Sequence, residues 1–208
     1  AASDVYKRQI SGRTAVGVHY GLQTLRQFFT QDAGAVPLGT IRDWPDLSVR
    51  MLMLDPARQM EHPDYFHRVI DFCGRYKMNV LHLHLTDDEY SCIHHENYTS
   101  IMHYHALRAE QIRQLVEAAG RYHIEVIPEI ESLGHSRVFI RHPQAGQILH
   151  QASDKRAVNG IPGYSNVLCP ASPQANEYLQ KMYAHCAALF PSETLHIGFD
   201  EVNMTGCE

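Results

Sequence analysis

The chain has 208 residues, of which 44% are hydrophobic and 20% are charged, so it can bury a core and is not expected to be disordered. Its 18 basic and 23 acidic residues give a net charge of −5 without a cluster of Lys and Arg, which argues against a nucleic-acid partner. No apolar run approaches the roughly 20 residues needed to cross a bilayer, and the N-terminal residues show no apolar stretch typical of a secretory signal. We expect no membrane partner, and the sequence predicts neither a compartment nor an oligomeric state.

The first predicted element is an amphipathic helix over residues 14–30, because Val18, Leu22 and Leu25 recur at helical spacing. A loop with Gly and Pro follows, and the dipeptide Trp44-Pro45 interrupts any regular element. We predict a domain boundary here, with residues 1–40 ending one domain and residues 41–208 belonging to the next.

Four short apolar runs then alternate with helical patterns, which is typical of βαβ units and a parallel sheet. The predicted strands are 49–54, 80–85, 124–130 and 195–199, and the predicted helices span about 63–76, 109–122 and 174–190. Neither GxGxxG nor GxxxxGK[ST] is present, so nucleotide chemistry is not supported.

Every predicted strand ends in carboxylates, which are, in chain order, Asp55, then Asp87, Asp88 and Glu89, then Glu129 and Glu131, then Asp200 and Glu201. The carboxyl ends of parallel strands meet on one face, where α/β barrels place their active sites. A closed eight-stranded barrel takes about 200–250 residues. We therefore predict an α/β fold of the (β/α)8 TIM-barrel type, of which only about the first four βα units are present.

The adjacent acids Asp200 and Glu201 are the sharpest catalytic signal. Glycoside hydrolysis uses a general acid beside a second carboxyl group, and the other acidic strand ends favour this interpretation over a surface Asp-Glu pair. Arg58 follows Asp55 by three residues, where it could hold sugar hydroxyls in a bidentate manner or form a structural ion pair.

His82 and His84 lie on one face of the second predicted strand. With Asp200 they could form the ligand set of a metal-dependent barrel hydrolase, or they could be interior histidines that are hydrogen-bonded to neighbours. We favour the second interpretation and predict no metal. The five cysteines lie far apart without a CxxC pair, which gives no support to a zinc knuckle.

Two further groups have open interpretations. His135, which follows Glu131, could hydrogen-bond a carboxylate and adjust its pKa, or could be a solvated turn residue. Tyr90, Tyr104 and Tyr164 could line a sugar platform or could simply pack.

Five segments in order resemble glycoside hydrolase family 20, the β-N-acetylhexosaminidases. They are GVHYGLQTLRQFF, VRMLMLDPAR, YKMNVLHLHLTDDE, IEVIPEIESLGHS and LHIGFDEV. The first is similar to the last helix of the small α/β domain that precedes the family's barrel. The others are similar to its first four barrel strands with the motifs that follow them.

The resemblance implies an exo-acting enzyme that removes terminal N-acetylglucosamine or N-acetylgalactosamine from glycans without a cofactor. The 2-acetamido group of the sugar would act as the nucleophile and form an oxazolinium intermediate. Glu201 would be the general acid and then the base, and Asp200 would accept the acetamido N–H.

The resemblance also implies substrate-binding roles for Arg58, Asp87, His135 and Glu131. Arg58 would hold sugar hydroxyls, Asp87 and His135 would support the protonation of Glu201, and Glu131 stands where the family has Asp. Phe199 stands where the family usually has a second glycine, which adds bulk beside the acids. The alternatives are a non-catalytic glycan-binding relative, prompted by Phe199, and the metal-dependent hydrolase.

Overall fold

The structure is a computed structural model that describes residues 9–31, 39–150 and 166–202. Its elements in these residues, apart from two short 3-10 helices, are α1 (Ala15–Gln31), β1 (Met51–Leu54), α2 (Pro63–Arg75), β2 (Val80–His84), β3 (Ser91–Ile93), β4 (Met102–Leu107), α3 (Ala109–Gly120), β5 (Glu125–Glu129), α4 (Ala145–Ile148) and α5 (Pro173–Leu189). The 3-10 helices are Glu96–Ile101 and Arg137–Arg141. No helix in the described ranges is both long and apolar enough to cross a membrane.

The central sheet is parallel and has the strand order β1-β2-β5. Val80 at the start of β2 is in register with Met51 of β1 and with Glu125 of β5, so the three strands end at the same edge. The alternation of strands and helices predicted from the sequence is therefore confirmed for these three units, with helix ends displaced by only one or two residues.

The prediction of a regular fourth strand over 195–199 is wrong. This segment joins the sheet through one parallel bridge between His196 and Glu129, with the His196 N–H donating to Pro128 O over 3.0 Å. Gly198 and Phe199 have φ values of 66° and 90°, which are incompatible with an extended strand. The backbone therefore turns away from the sheet immediately after Ile197.

The helices α2 and α5 begin at recognisable N-terminal signals. In α5, the Ser172 side chain accepts from the N–H of Ala175 over 3.1 Å, and Pro173 occupies the first turn. In α2, His62 accepts from the N–H of Asp64, and Pro63 begins the helix. These caps fix where each helix leaves the loop and packs over the sheet.

β2 lies at the centre of the molecule, and all five of its residues are buried. Its leucines, Leu81 and Leu83, belong to one apolar cluster with Phe66 and Ile70 of α2 and Ile112 of α3. Because side chains alternate along a strand, His82 and His84 project from the opposite face. One face of β2 therefore forms the core, and the other presents polar groups.

A short excursion between β2 and α3 was not predicted from the sequence. It contains β3, a 3-10 helix and β4, which pairs with β3 in parallel with an irregular register. β4 includes the sequence His-Tyr-His at 103–105.

The predicted N-terminal helix is confirmed as α1, which packs beside α2. Gln27 donates to the carbonyl oxygen of Arg75 over 2.7 Å, and Arg50 donates to the Tyr20 hydroxyl over 3.2 Å. The predicted domain boundary near residue 41 stays a prediction.

Candidate active site

The acidic strand ends come together in the structure. β1 leads into Asp55, β2 into Asp87, and β5 ends at Glu129 just before Glu131. The bridge between His196 and Glu129 brings Asp200 to the same edge. Parallel strands with matched ends place these side chains around one centre, as the sequence pattern predicts.

Asp87 is the most heavily engaged carboxylate. Its Oδ2 atom lies 2.8 Å from both His84 Nε2 and Arg58 Nη2, and its Oδ1 accepts from the N–H of Asp88 over 2.6 Å. Arg58 also contacts Asp55 Oδ2 over 2.7 Å. The structural Asp–Arg pair considered from the sequence is thus present, and Arg58 also borders the clefts described below.

Glu129 forms the second half of this centre. Its Oε2 lies 2.8 Å from His84 Nδ1, and its Oε1 lies 2.7 Å from His196 Nδ1. His82 Nε2 approaches Oε2 to 3.0 Å without completing a hydrogen bond. The buried carboxylate is therefore surrounded by three imidazoles.

The charge states of these groups follow from their contacts. Burial opposes protonation of His84, but its hydrogen bonds with Asp87 and Glu129 outweigh this effect and raise its pKa to about 10. Burial also disfavours the charged forms of Asp87 and Glu129. The hydrogen bond from His84 nevertheless lowers the pKa of Asp87, and the close imidazoles of His82 and His84 lower the pKa of Glu129. At neutral pH, His84 is a buried cation between two anions.

The structure gives no support to the ligand set His82, His84 and Asp200 that was considered for a metal-dependent hydrolase. Both ring nitrogens of His84 contact carboxylates. Among the described residues, ligand atoms of His82, His84 and Asp200 do not form one group within 4.8 Å. His84 is an interior histidine that is hydrogen-bonded to its neighbours, as the favoured interpretation predicts. His82 also contacts Glu129.

Asp200 and Glu201 both approach one imidazole. His135 Nε2 lies 3.5 Å from Asp200 Oδ2 and 3.6 Å from Glu201 Oε2, while its Nδ1 lies 3.7 Å from Asp87 Oδ1. His135 is buried, whereas the side chains of Asp200 and Glu201 are 66% and 77% exposed. The structure therefore brings together three predicted site residues, with Asp87 behind them.

Two glycines allow this loop arrangement. A Cβ atom on Gly134 would lie 2.5 Å from the backbone oxygen of Asp200, and one on Gly198 would overlap the carboxyl group of Glu131. Gly198 also has a left-handed backbone with φ of 66°. The glycines thus let the Glu131 side chain and the Asp200 backbone approach at short range.

Glu131 has the most unusual environment of the predicted site residues. It is 3% exposed, and among the described residues its Oε2 has no hydrogen-bond partner. Burial, followed by the negative charge of Asp200, raises the pKa of Glu131 to about 8. The Glu131 carboxyl group is therefore mostly protonated at neutral pH.

Two open clefts meet at Arg58. One, of about 440 Å³, is lined by Arg58, Asp87, Asp88, Glu89, Tyr90, His135 and Arg137. The other, of about 420 Å³, is lined by Met53, Arg58, His84, Glu129, Glu131, His196, Gly198, Phe199 and Asp200. Of the six predicted site residues, five line these clefts, and Glu201 reaches the site through its contact with His135.

Of the three loop tyrosines, Tyr90 lines a cleft, Tyr104 belongs to β4, and Tyr164 lies outside the described residues.

Sequence reasoning did not assign a role to Glu129, His196 or Gly134. Glu129 lies in the predicted strand 124–130, two residues before Glu131, so period-two alternation could have placed both on one face. His196 likewise lies two residues before Gly198, so the same alternation relates these two positions. The role of Gly134 depends on a tertiary contact that no local pattern reveals.

Comparison with known proteins identifies the family. Residues 48–208 match the catalytic domain of glycosyl hydrolase family 20, and residues 3–44 match domain 2 of the same family. The chain therefore belongs to glycosyl hydrolase family 20, a family whose catalytic domain is a TIM barrel.

Individual relatives agree with this assignment. The β-hexosaminidase of Vibrio furnissii is 32% identical over 219 residues, which cover 93% of this chain and 36% of the relative. The chitobiase of Flavobacterium johnsoniae superposes with a TM-score of 0.72 at 30% identity, covering 88% of this chain and 28% of that one. The exo β-N-acetylglucosaminidase of Vibrio harveyi, solved with N-acetylglucosamine, gives 0.65 at 30% identity, covering 77% and 28%. The chain spans between 28% and 36% of the length of these relatives.

The substitution Glu131→Gln tests the protonation of the buried carboxyl group. The folded protein holds this proton up to about pH 8, whereas the unfolded chain loses it near the ordinary value of 4.5. This group therefore lowers the free energy of unfolding as pH rises between those values. Because Gln cannot ionise, we expect the stability of the variant relative to wild type to increase from pH 5 to pH 8 in urea unfolding. Glu110→Gln, at a solvent-exposed helix position, is the control, and a difference that does not change with pH would contradict the assignment.

The substitution Gly198→Ala tests the close approach of Glu131. The new methyl group would collide with the Glu131 carboxyl group and would also have to adopt a positive φ. We expect a loss of about 1–3 kcal/mol in the free energy of unfolding, measured by denaturant titration. Gly120→Ala is the matched control, because no atom lies within 4 Å of the position that its new methyl group would take. Equal stabilities of the two variants would refute the steric explanation.

Proposed function

We propose that the protein is an exo-acting β-N-acetylhexosaminidase that removes terminal N-acetylglucosamine or N-acetylgalactosamine from glycans. The observation that carries the proposal is the position of Asp200 and Glu201, which both approach His135 Nε2 at the strand exits. The names of the relatives, and the N-acetylglucosamine bound in the Vibrio harveyi structure, support the same substrate class.

In the first proposed step, the carbonyl oxygen of the substrate's own 2-acetamido group attacks the anomeric carbon. The bond from that carbon to the leaving oxygen breaks, and Glu201 donates its proton to the departing oxygen. An oxazolinium ring forms, and Asp200 accepts a hydrogen bond from its N–H and stabilises its positive charge.

In the second proposed step, the Glu201 carboxylate removes a proton from water as the water attacks the anomeric carbon. The bond from the anomeric carbon to the oxazolinium oxygen breaks, which restores the acetamido group and returns the proton to Glu201. Two inversions at one carbon give net retention of configuration. The proposed reaction needs no metal or cofactor.

His135 and Asp87 support the proton donor in this proposal. The imidazole lies between Glu201 Oε2 at 3.6 Å and Asp87 Oδ1 at 3.7 Å, and these distances would shorten when a substrate closes the site. Asp87 is itself held by Arg58 and His84, so its position does not depend on the substrate.

Arg58 and Glu131 complete the proposed sugar site. Arg58 borders both clefts, and the N–H groups that do not contact Asp55 or Asp87 can donate to sugar hydroxyls. Glu131 lies beside Asp200 and is protonated at neutral pH, so it adds no second negative charge there. Asp200 therefore remains the acceptor for the acetamido N–H.

We also propose that β1, β2, β5 and the segment 195–199 are the first four strand positions of a TIM barrel. The parallel order of the three strands and the bridge from β5 to His196 support this arrangement. In this proposal residues 1–40 form the end of the small α/β domain, with α1 as its last helix.

The substitution Glu201→Gln tests the proton donor. We expect the rate of hydrolysis of a natural disaccharide to fall by at least about 10²–10⁴-fold, because its leaving alcohol requires protonation. Hydrolysis of a dinitrophenyl glycoside, whose leaving group needs no proton, should fall much less in its first step. Steady-state and burst kinetics on both substrates provide the measurement, and wild-type rates on the disaccharide would refute the role of Glu201.

The substitution Asp200→Asn tests neighbouring-group participation. Loss of the negative charge beside the oxazolinium ring should reduce the rate on N-acetylated substrates by about 10²–10³-fold. It should also weaken binding of a thiazoline analogue of the intermediate, as measured by inhibition or calorimetry. A non-catalytic glycan-binding relative would bind the thiazoline no better than N-acetylglucosamine, and an unchanged rate in the variant would exclude the proposed role.

A further inference from the structure

A continuous path of aromatic and imidazole rings leads away from the 440 Å³ cleft. Tyr90 lines this cleft and contacts His103 edge to face, with ring centroids 4.8 Å apart. His103 lies 4.3 Å from the Tyr104 ring, which in turn lies 4.0 Å from the ring of His105. We call Tyr90, His103, Tyr104 and His105 the ring path.

The ring path is exposed where it leaves the cleft. Tyr104 is 84% exposed, the highest value among the large hydrophobic residues that the structure describes. At the cleft end, the guanidinium group of Arg141 lies 5.5 Å from the centroid of Tyr90 and steadies that ring. A single exposed aromatic residue is ordinary, but here the three consecutive rings of residues 103–105 are joined through His103 to Tyr90, which lines a polar cleft.

We propose that the ring path binds the sugar residues on the leaving side of an oligosaccharide substrate. This inference rests on the proposed function, since it assigns the aglycone to a glycan rather than to a small alcohol. Tyr90 shares its cleft with Arg58, Asp87 and His135, so a chain whose terminal sugar lies at the carboxylates would continue over these rings.

The chemistry of the rings fits a sugar chain. Aromatic faces carry partial negative charge and attract the weakly positive C–H groups on a sugar face, while hydroxyl groups at the sugar's edge stay in water. The imidazoles add hydrogen-bond donors and acceptors beside the tyrosine faces. Partial burial, reinforced by the neighbouring His105, lowers the pKa of His103 and so favours its neutral ring. A narrow, partly polar path is better suited to a glycan than to an apolar protein surface.

The substitution Tyr104→Ala tests this proposal, because the exposed ring can be removed without opening the core. We expect kcat/KM for the N-acetylglucosamine tetramer to fall by about 2- to 10-fold, mainly through KM, which is the range of one aromatic stacking contact. The rate on the nitrophenyl glycoside of a single N-acetylglucosamine, whose short aglycone does not reach Tyr104, should not change. The control is Tyr76→Ala, a 54% exposed tyrosine at the end of α2, before the start of β2.

Equal losses on both substrates, no loss on the tetramer, or the same loss in Tyr76→Ala would overturn the ring path as a glycan platform. If the wild-type protein hydrolyses neither substrate, the proposed function fails. Calorimetry then tests the glycan platform by comparing the affinity of the wild-type protein and of Tyr104→Ala for the tetramer. A 2- to 10-fold weaker affinity in Tyr104→Ala, about the strength of one stacking contact, supports the platform in that case, and an unchanged affinity refutes it.

Discussion

The site depends on one buried cation, the imidazolium of His84, which lies between the carboxylates of Asp87 and Glu129 at 2.8 Å from each. A buried charge is costly unless it is paired, and removing one partner from such a group leaves an uncompensated charge in the interior. His84 belongs to β2, Glu129 ends β5, and Asp87 receives Arg58 from the loop after β1. These ion pairs therefore link side chains from three strand exits. The contacts that position the site residues also connect the three strands at this edge of the sheet.

This arrangement also separates the carboxyl groups into two kinds. Asp87 and Glu129 have cationic partners, which lower the pKa of each group and keep it ionised. Glu131 lies in the same region without a hydrogen-bonded cation and beside Asp200, so burial and repulsion keep it protonated at neutral pH. Neighbouring acids whose environments drive their pKa values apart can serve different purposes in one site. In the proposed mechanism, the neutral Glu131 adds no second charge beside Asp200, the residue assigned to face the developing positive charge.

The sequence was sufficient for the parts of the fold that depend on local periodicity. The leucines and histidines of β2 alternate, and the caps at His62 and Ser172 begin helices where the patterns predict them. The segment 195–199 was predicted as a strand because it is a short apolar run after a helical pattern, but its last two residues have positive φ values. The protonated state of Glu131 was equally hidden, because it depends on burial and on Asp200, which is distant in sequence. Sequence patterns therefore did not predict the backbone conformation and the charge state that depend on residues distant in the sequence.

Phe199 and Glu131 line the same cleft. Phe199 has a φ of 90°, a conformation that costs a non-glycine residue about 1–2 kcal/mol. The Glu131 carboxyl group occupies the space beside Gly198 that any side chain would fill. A glycine is therefore required at position 198 but not at 199, so bulk can be added only at the second position. The strain at Phe199 means that the ring is held at the cleft by its surroundings rather than by backbone preference.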